Sequence, residues 1–190
     1  EDCRARFLSQ AGAEGICELR AVVFEGPEDY HDRINDPALG IDDRTILVIR
    51  GVGAVGYPGS AEVVNMQPPD AVLRAGVNHL PTLGDGRQSG TSESPSILNA
   101  SPESVVGGGL AYLETGDRIR LDLNASRMDA LVAPEVWAER IRAWVPPELK
   151  HQTPWQEIYR KNVGQLETGG CLELATAYQK IGRDLPRDNH

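Results

Sequence analysis

TILVIRGVGAVGYPGSAEVVNM, residues 45–66, joins an apolar run to three glycines spaced G-x-G-x-x-G. Thr45 to Ile49 reads as a β-strand, closed by Arg50 and the glycine cluster. Gly51, Gly53 and Gly56 match the spacing of a dinucleotide-binding loop. That loop, however, needs its third glycine at the start of a helix, where the pyrophosphate rests on the helix N-terminus. Here the chain continues Tyr57-Pro58-Gly59-Ser60, and Pro58-Gly59 is a turn dipeptide. The acid expected about 20 residues on would be Asp70, which stands behind Pro68-Pro69 at the start of a short helix predicted by pattern. The sequence therefore argues against a nicotinamide cofactor, and the loop needs another purpose.

Upstream, Arg20 to Phe24 is a second β-branched run, followed by PEDYHDRIN (27–35), whose early proline and acids mark a helix start. Downstream, PPDAVLRAG (68–76) predicts a short helix stopped by Gly76, and VNHLPTL (77–83) a third strand. The stretch GDGRQSGTSESPSILNASPESVVGGG (84–109) is a long Gly/Ser/Asp-rich loop of the kind that more often carries function than idles. LAYLETGDRIRLDLNASRMDALV (110–132) alternates with period two and turns at 115–117 and 124–126, which predicts antiparallel strands. PEVWAERIRAW (134–144) is an amphipathic helix ended by Pro146-Pro147, and TPWQEIYRKN (153–162) and LELATAYQKI (172–181) are two further helices. The expected fold class is α+β: a small β-barrel or curved mixed sheet with flanking helices. Residues 1–19 read as a linker or loosely docked segment, 20–145 as the barrel domain and 146–190 as a helical arm.

The bulk properties exclude several functions. The chain is 190 residues long, about one domain. Its net charge of −9, with no run of Lys or Arg, argues against a nucleic-acid surface or an anionic membrane. No stretch is long and apolar enough to span a bilayer and no leader pattern is present, so the expected setting is cytoplasmic. Cys3, Cys17 and Cys171 are too widely spaced for a zinc site or a disulfide framework, and the four histidines are scattered. The thiols read as reduced.

Two loops carry the candidate chemistry. The glycine loop delivers one carboxylate, Glu62, whose ordinary reading is a surface residue capping a helix start with Ser60. The second loop presents Asp85-Gly86-Arg87-Gln88-Ser89-Gly90-Thr91. GRQSG fails the G-x-S-x-G nucleophile elbow, because two residues separate Gly86 from Ser89, and this disfavours a serine hydrolase.

Taken together, GVGAVGYPGSAEVVNM, the DGR-x-SG run, the SPE-x-x-x-GG run and the GDRI-x-LD run resemble, in order, the C-terminal domain of the dihydroxy-acid dehydratase and phosphogluconate dehydratase family. That family includes sugar-acid dehydratases acting on aldonates. The likeness covers about Arg20 to Trp144. It implies a swivelling β-barrel domain of a hydro-lyase that eliminates water from a 2,3-dihydroxy acid to give a 2-keto acid. It further implies a [2Fe-2S] cluster whose open iron takes the leaving hydroxyl, and a Mg²⁺ that holds the substrate carboxylate and 2-hydroxyl. By the same resemblance Ser89 is the catalytic base acting as its alkoxide, Thr91 contacts substrate and Glu62 is a Mg²⁺ ligand. These residue types suit the chemistry: Mg²⁺ is a hard cation that prefers carboxylate oxygen, and a nearby dication stabilises an alkoxide as it does a bound hydroxide.

The family's cluster thiolates and remaining Mg²⁺ ligands come from a larger N-terminal domain, so that domain is the expected partner and the cluster ligands are not expected in this chain. A homo-oligomer is expected as well. Where branched-chain dihydroxy-acid dehydratases typically carry an aromatic, this sequence has Gln88, which leans toward a polyhydroxylated substrate. The rival reading is a non-catalytic binding or assembly module that keeps the barrel.

Overall fold

The computed structural model describes residues 15–59, 62, 65–88 and 94–175. Six strands form one mixed sheet in the order β4-β3-β2-β1-β5-β6. They are β1 (Ile16–Phe24), β2 (Thr45–Ile49), β3 (Thr82–Gly84), β4 (Ser96–Ile97), β5 (Arg118–Asp122) and β6 (Arg127–Ala130). β1 to β4 pair in parallel, while β5 runs antiparallel to β1 and β6 antiparallel to β5. The sheet curls into a half-barrel flanked by a few helices, an α+β fold as the sequence predicts.

β2 is central, and all five of its residues are buried. A strand covered on both faces has no polar side to show, which is why TILVI is an unbroken apolar run. Its side chains alternate between two cores. Ile46 and Val48 join Ala21, Val23, Ile119 and Leu121 on one face. Leu47 and Ile49 join Val22, Phe24, Tyr30 and Met66 on the other. The first core is closed by Leu110 and Leu113, with Trp137 of α3 (Pro134–Ala143) packed against it. The second is covered by α1 (Pro27–Arg33) and by the chain leading into α2 (Asp70–Arg74).

Three boundaries differ from the sequence reading. β1 begins at Ile16, not Arg20, so residues 16–19 are strand and not linker. Ile16 to Arg20 pair with β5 and Arg20 to Phe24 with β2, so one long strand serves a different partner at each end. Glu18 and Cys17 interrupt the β-branched pattern, and the pairing partner lies some hundred residues on, which no local window registers. β3 is Thr82–Gly84, later and shorter than 77–83, because Pro81 and the residues before it only lead in; the Pro81 carbonyl accepts from the Leu47 amide at 2.9 Å. Leu110 to Tyr112 form a 3₁₀ turn instead of a strand, while the β5–β6 hairpin stands as expected.

α4 (Pro154–Asn162) opens on a Thr153 cap that accepts from the Gln156 amide. The helix expected over 172–181 lies largely outside the described residues, as do Cys3 and most of residues 1–19. Among the described residues no helix is long and apolar enough to cross a membrane.

Cys17 faces the first core and burial pushes its thiol pKa up, whereas Cys171 is exposed. The thiolate is the reactive form, so raised pKa and burial act in the same direction. Maleimide labelling of the native chain near pH 7.5, read by peptide mass spectrometry, is expected to modify Cys171 within minutes and Cys17 only after unfolding. Equal labelling of both would contradict the placement of β1 in the core.

Candidate functional site

The carboxyl ends of β2 and β3 lie side by side, since Ile49 pairs with Gly84. Ligands of open parallel sheets bind outside such ends. Here β2 runs into the glycine loop and β3 into Asp85-Gly86-Arg87-Gln88, so both candidate loops leave the sheet at one edge.

Asp85 is fully buried. One carboxylate oxygen accepts from the Val52 amide at 3.0 Å. The other accepts from the Gly51 amide at 3.0 Å, the Ser104 amide at 2.9 Å and the Ser104 hydroxyl at 2.6 Å. The Ser104 Oγ accepts in turn from the Gly51 amide at 2.9 Å. A buried carboxylate is tolerable only when its lone pairs are filled in this way. One side chain thereby ties together the glycine loop, the β3 loop and the SPES segment.

The far side of the glycine loop is held by Glu103, which is 2% exposed. Its carboxylate accepts from the Val55 amide at 2.9 Å and the Gly56 amide at 2.8 Å. Gln165 donates to the same carboxylate at 2.8 Å and accepts from the Glu103 amide at 2.8 Å. Arg160 of α4 donates to the carbonyls of Val55 at 2.8 Å and Gly56 at 3.0 Å. Burial draws the Arg160 pKa down and the neighbouring Glu103 pushes it back up. The segment read as an arm is thus fastened onto the glycine loop through Arg160 and Gln165.

These bonds account for the glycine spacing. The amides of Gly51, Val52, Val55 and Gly56 already point at protein carboxylates, so they are not free to cradle a pyrophosphate. Among the described residues no helix begins between Gly51 and Asp70. At Gly53 a Cβ would stand 2.5 Å from Glu103 Oε2, so glycine there serves close packing against a carboxylate. Neither Asp85 nor Glu103 was identified from sequence as a loop anchor. The available signal was an acid flanked by glycines in GDG and one in SPES, each in a stretch otherwise poor in charge.

Glu62 is exposed and forms a parallel β-bridge with Arg87. It stands in extended backbone, not in a helix's first turn, so the capping reading does not hold. Five residues further on, the Tyr30 hydroxyl donates to the Gln67 carbonyl at 3.0 Å and accepts from the Gln67 amide at 2.8 Å. Phe24 packs edge-on against the Tyr30 ring, with centroids 5.4 Å apart. Glu62 is therefore held beside the β3 loop, and Gln67 is tied to α1. Ser89 and Thr91 lie outside the described residues; the structure brings Glu62 to Arg87, two positions before Ser89 in sequence. Ser60 is outside them too.

Among the described residues no group of three or more His, Cys, Asp or Glu could hold a metal ion. The Glu62 carboxylate is a single hard oxygen donor open to solvent, of the chemistry a Mg²⁺ accepts, and the rest of a coordination sphere would have to come from elsewhere. Cys17 is packed in the core and Cys171 is exposed on the 3₁₀-rich segment after α4, so these two thiols do not form a cluster site.

Comparison with known proteins places the chain. The sequence profile of the dihydroxy-acid/6-phosphogluconate dehydratase C-terminal family matches residues 8–170. The chain belongs to that family. The match begins upstream of Arg20 and ends beyond Trp144, so it takes in all of β1 and the docked α4 segment. Among individual relatives, the D-xylonate dehydratase of Caulobacter vibrioides is 62% identical over 190 residues, covering 100% of this chain and 32% of the relative. The L-arabonate dehydratase of Azospirillum brasilense is 44% identical over 177 residues, 90% of this chain and 30% of the relative. The dihydroxy-acid dehydratase of Saccharolobus islandicus is 28% identical over 165 residues, 84% of this chain and 29% of the relative. The chain thus spans under a third of the length of these relatives.

Asp85→Asn is expected to destabilise the chain by about 3 kcal/mol, because the amide keeps one acceptor and turns an NH₂ toward donors. Ser104→Ala, which leaves the three backbone amides on Asp85 in place, should cost about 1 kcal/mol. Urea denaturation followed by tryptophan fluorescence measures both, and the order of the two losses is the critical result.

Proposed function

We propose that this chain is the C-terminal domain of a hydro-lyase that removes water from a 2,3-dihydroxy acid, a sugar acid in preference to a branched-chain dihydroxy acid. The observation that carries the reading is the bridge between Glu62 and Arg87. It sets the one exposed carboxylate of the glycine loop against the DGR-x-SG run, at the carboxyl ends of the parallel strands. Family membership supplies the reaction class, and the D-xylonate and L-arabonate dehydratases among the relatives support the sugar-acid preference.

In the proposed reaction Ser89, as its alkoxide, takes the proton from C2 of the substrate as the 3-hydroxyl departs, and that proton passes on to the departing hydroxide, which restores the alkoxide. The elimination yields water and an enol, which tautomerises to the 2-keto acid. Thr91, two positions on, contacts the substrate. Glu62 gives one oxygen to a Mg²⁺, the other ligands coming from the remainder of the enzyme. When bound, that ion supplies electrostatic stabilisation for charge building on the substrate carboxylate and 2-hydroxyl. The described residues do not fit a [2Fe-2S] cluster. The partner on which the site depends is the N-terminal region that makes up the greater part of the relatives' length, in a cytoplasmic homo-oligomer.

The role of this chain's backbone is preorganisation. Asp85, Glu103, Arg160 and Tyr30 hold the two loops without using Glu62, so the functional carboxylate stays free. The described parts of the two loops, held in this way, need little reorganisation when substrate binds.

In the full-length enzyme Ser89→Ala should leave metal content unchanged and lower turnover of D-xylonate by at least about 10³-fold, since a positioned base acts only in proton transfer. Near-normal turnover would exclude Ser89 as the base. Glu62→Gln should raise the Mg²⁺ concentration for half-maximal activity about tenfold or more, as a charged ligand becomes a neutral one. An unchanged Mg²⁺ titration would remove Glu62 from the metal site.

A further inference from the structure

Among the described residues, Gln88 differs from the other buried polar side chains around the two loops. It is 6% exposed, and both its amide nitrogen and its amide oxygen are buried without a hydrogen-bond partner. Asp85, three residues earlier, has both oxygens filled, and so has Glu103. A buried amide with neither donor nor acceptor engaged is costly, and native structures rarely keep one without a purpose. The carboxyl end of β3 is shaped to admit it. A Cβ at Gly84 would stand 2.9 Å from Gln88 Nε2 and 2.8 Å from Ile49 Cγ2, so glycine at 84 leaves the space in which the amide lies. The loop is fixed around it, because the amides of Asn99 and Ala100 donate to the carbonyls of Gly86 at 3.1 Å and Gly84 at 2.9 Å. Its neighbours in sequence are Arg87, bridged to Glu62, and Ser89.

We infer that Gln88 is a specificity-determining residue that hydrogen-bonds a hydroxyl of the substrate beyond the two that take part in the elimination. The inference rests on the dehydratase reading given above. A primary amide offers a donor and an acceptor side by side, the complement of a hydroxyl that both donates and accepts. A 2,3-dihydroxy acid with alkyl groups in those positions would leave the amide as unpaired as it is in the free protein. A polyhydroxylated acid would satisfy it. Selection for a hydroxyl by a buried polar partner is strong, because the wrong ligand strands that partner.

The test is a cycle in the full-length enzyme, pairing Gln88→Leu with D-xylonate and its 4-deoxy and 5-deoxy analogues. The expected wild-type result is a loss of kcat/KM of about 100-fold on one of the two analogues. Gln88→Leu should lose a similar factor on D-xylonate and lose nothing further on that same analogue. Additive losses on both analogues would overturn the assignment while leaving the dehydratase reading intact. No wild-type turnover of any 2,3-dihydroxy acid would sink that reading and the inference with it. Thermal unfolding of the ligand-free protein gives an independent readout. Gln88→Leu replaces an unpartnered amide with an apolar group of similar volume, so its midpoint should equal or exceed that of the wild type. A clear drop would show that the amide holds the protein's own structure and would overturn the proposal.

Discussion

The buried carboxylate of Asp85 is the constraint on which the rest of this arrangement depends. Three segments far apart in sequence, at 51–52, 85 and 104, meet on its two oxygens. An ionised group in a core of this kind is tolerated only with its acceptors filled. The three segments must therefore arrive together, and the site loops cannot settle independently of the sheet. Because Asp85 immediately follows Gly84, the last residue of β3, the position of the carboxylate is inherited from the register Val48–Leu83 and Ile49–Gly84. The hydrophobic core fixes that register through the alternating faces of β2. Packing thus sets the electrostatic anchor, and the anchor sets the loops.

Glu103 extends the same logic outward. It binds the far half of the glycine loop and is itself gripped by Gln165, while Arg160 occupies the loop's carbonyls. Amide donors meet carboxylates and carbonyl acceptors meet a guanidinium, so much of the loop's backbone is engaged by side chains where a strand or helix would have engaged it internally. The segment 146–170 therefore acts as part of the scaffold for the glycine loop. That agrees with a family match that continues to residue 170.

What could be read from the sequence follows the range of each interaction. The strand Thr45–Ile49, the helix at Pro27, the hairpin around 115–130 and the helix from Pro134 each declare themselves through local pattern and punctuation, and each is present. Ile16–Leu19 did not, since its strand character comes from pairing with Arg118–Asp122. β4, two residues long, is too short to show a period. The same division holds at the site. Glu62 was singled out by family resemblance alone, and its position against Arg87 came only from the fold. Asp85 and Glu103 were not legible as anchors, because a carboxylate that binds backbone amides of a remote loop looks in sequence like any other acid. Arg160 and Gln165 were hidden for the same reason, lying on a segment that read as peripheral.

Two sets of polar groups can be told apart among the described residues around the loops, and the division is itself informative. Asp85, Ser104, Glu103, Gln165, Arg160 and Tyr30 have their hydrogen-bonding capacity turned inward, onto the chain. Glu62, open to solvent, and Gln88, buried and unpartnered, do not. Folding alone gives no reason to retain an exposed acid on a braced loop or an orphaned amide in a glycine-made space. Apolar or neutral residues would serve stability as well or better at both positions. Groups that stability does not require, held rigid by groups that it does, are what a binding surface consists of before its ligand arrives. On that reasoning the satisfied residues describe the scaffold, and the unsatisfied ones are those to which the proposals above give a ligand.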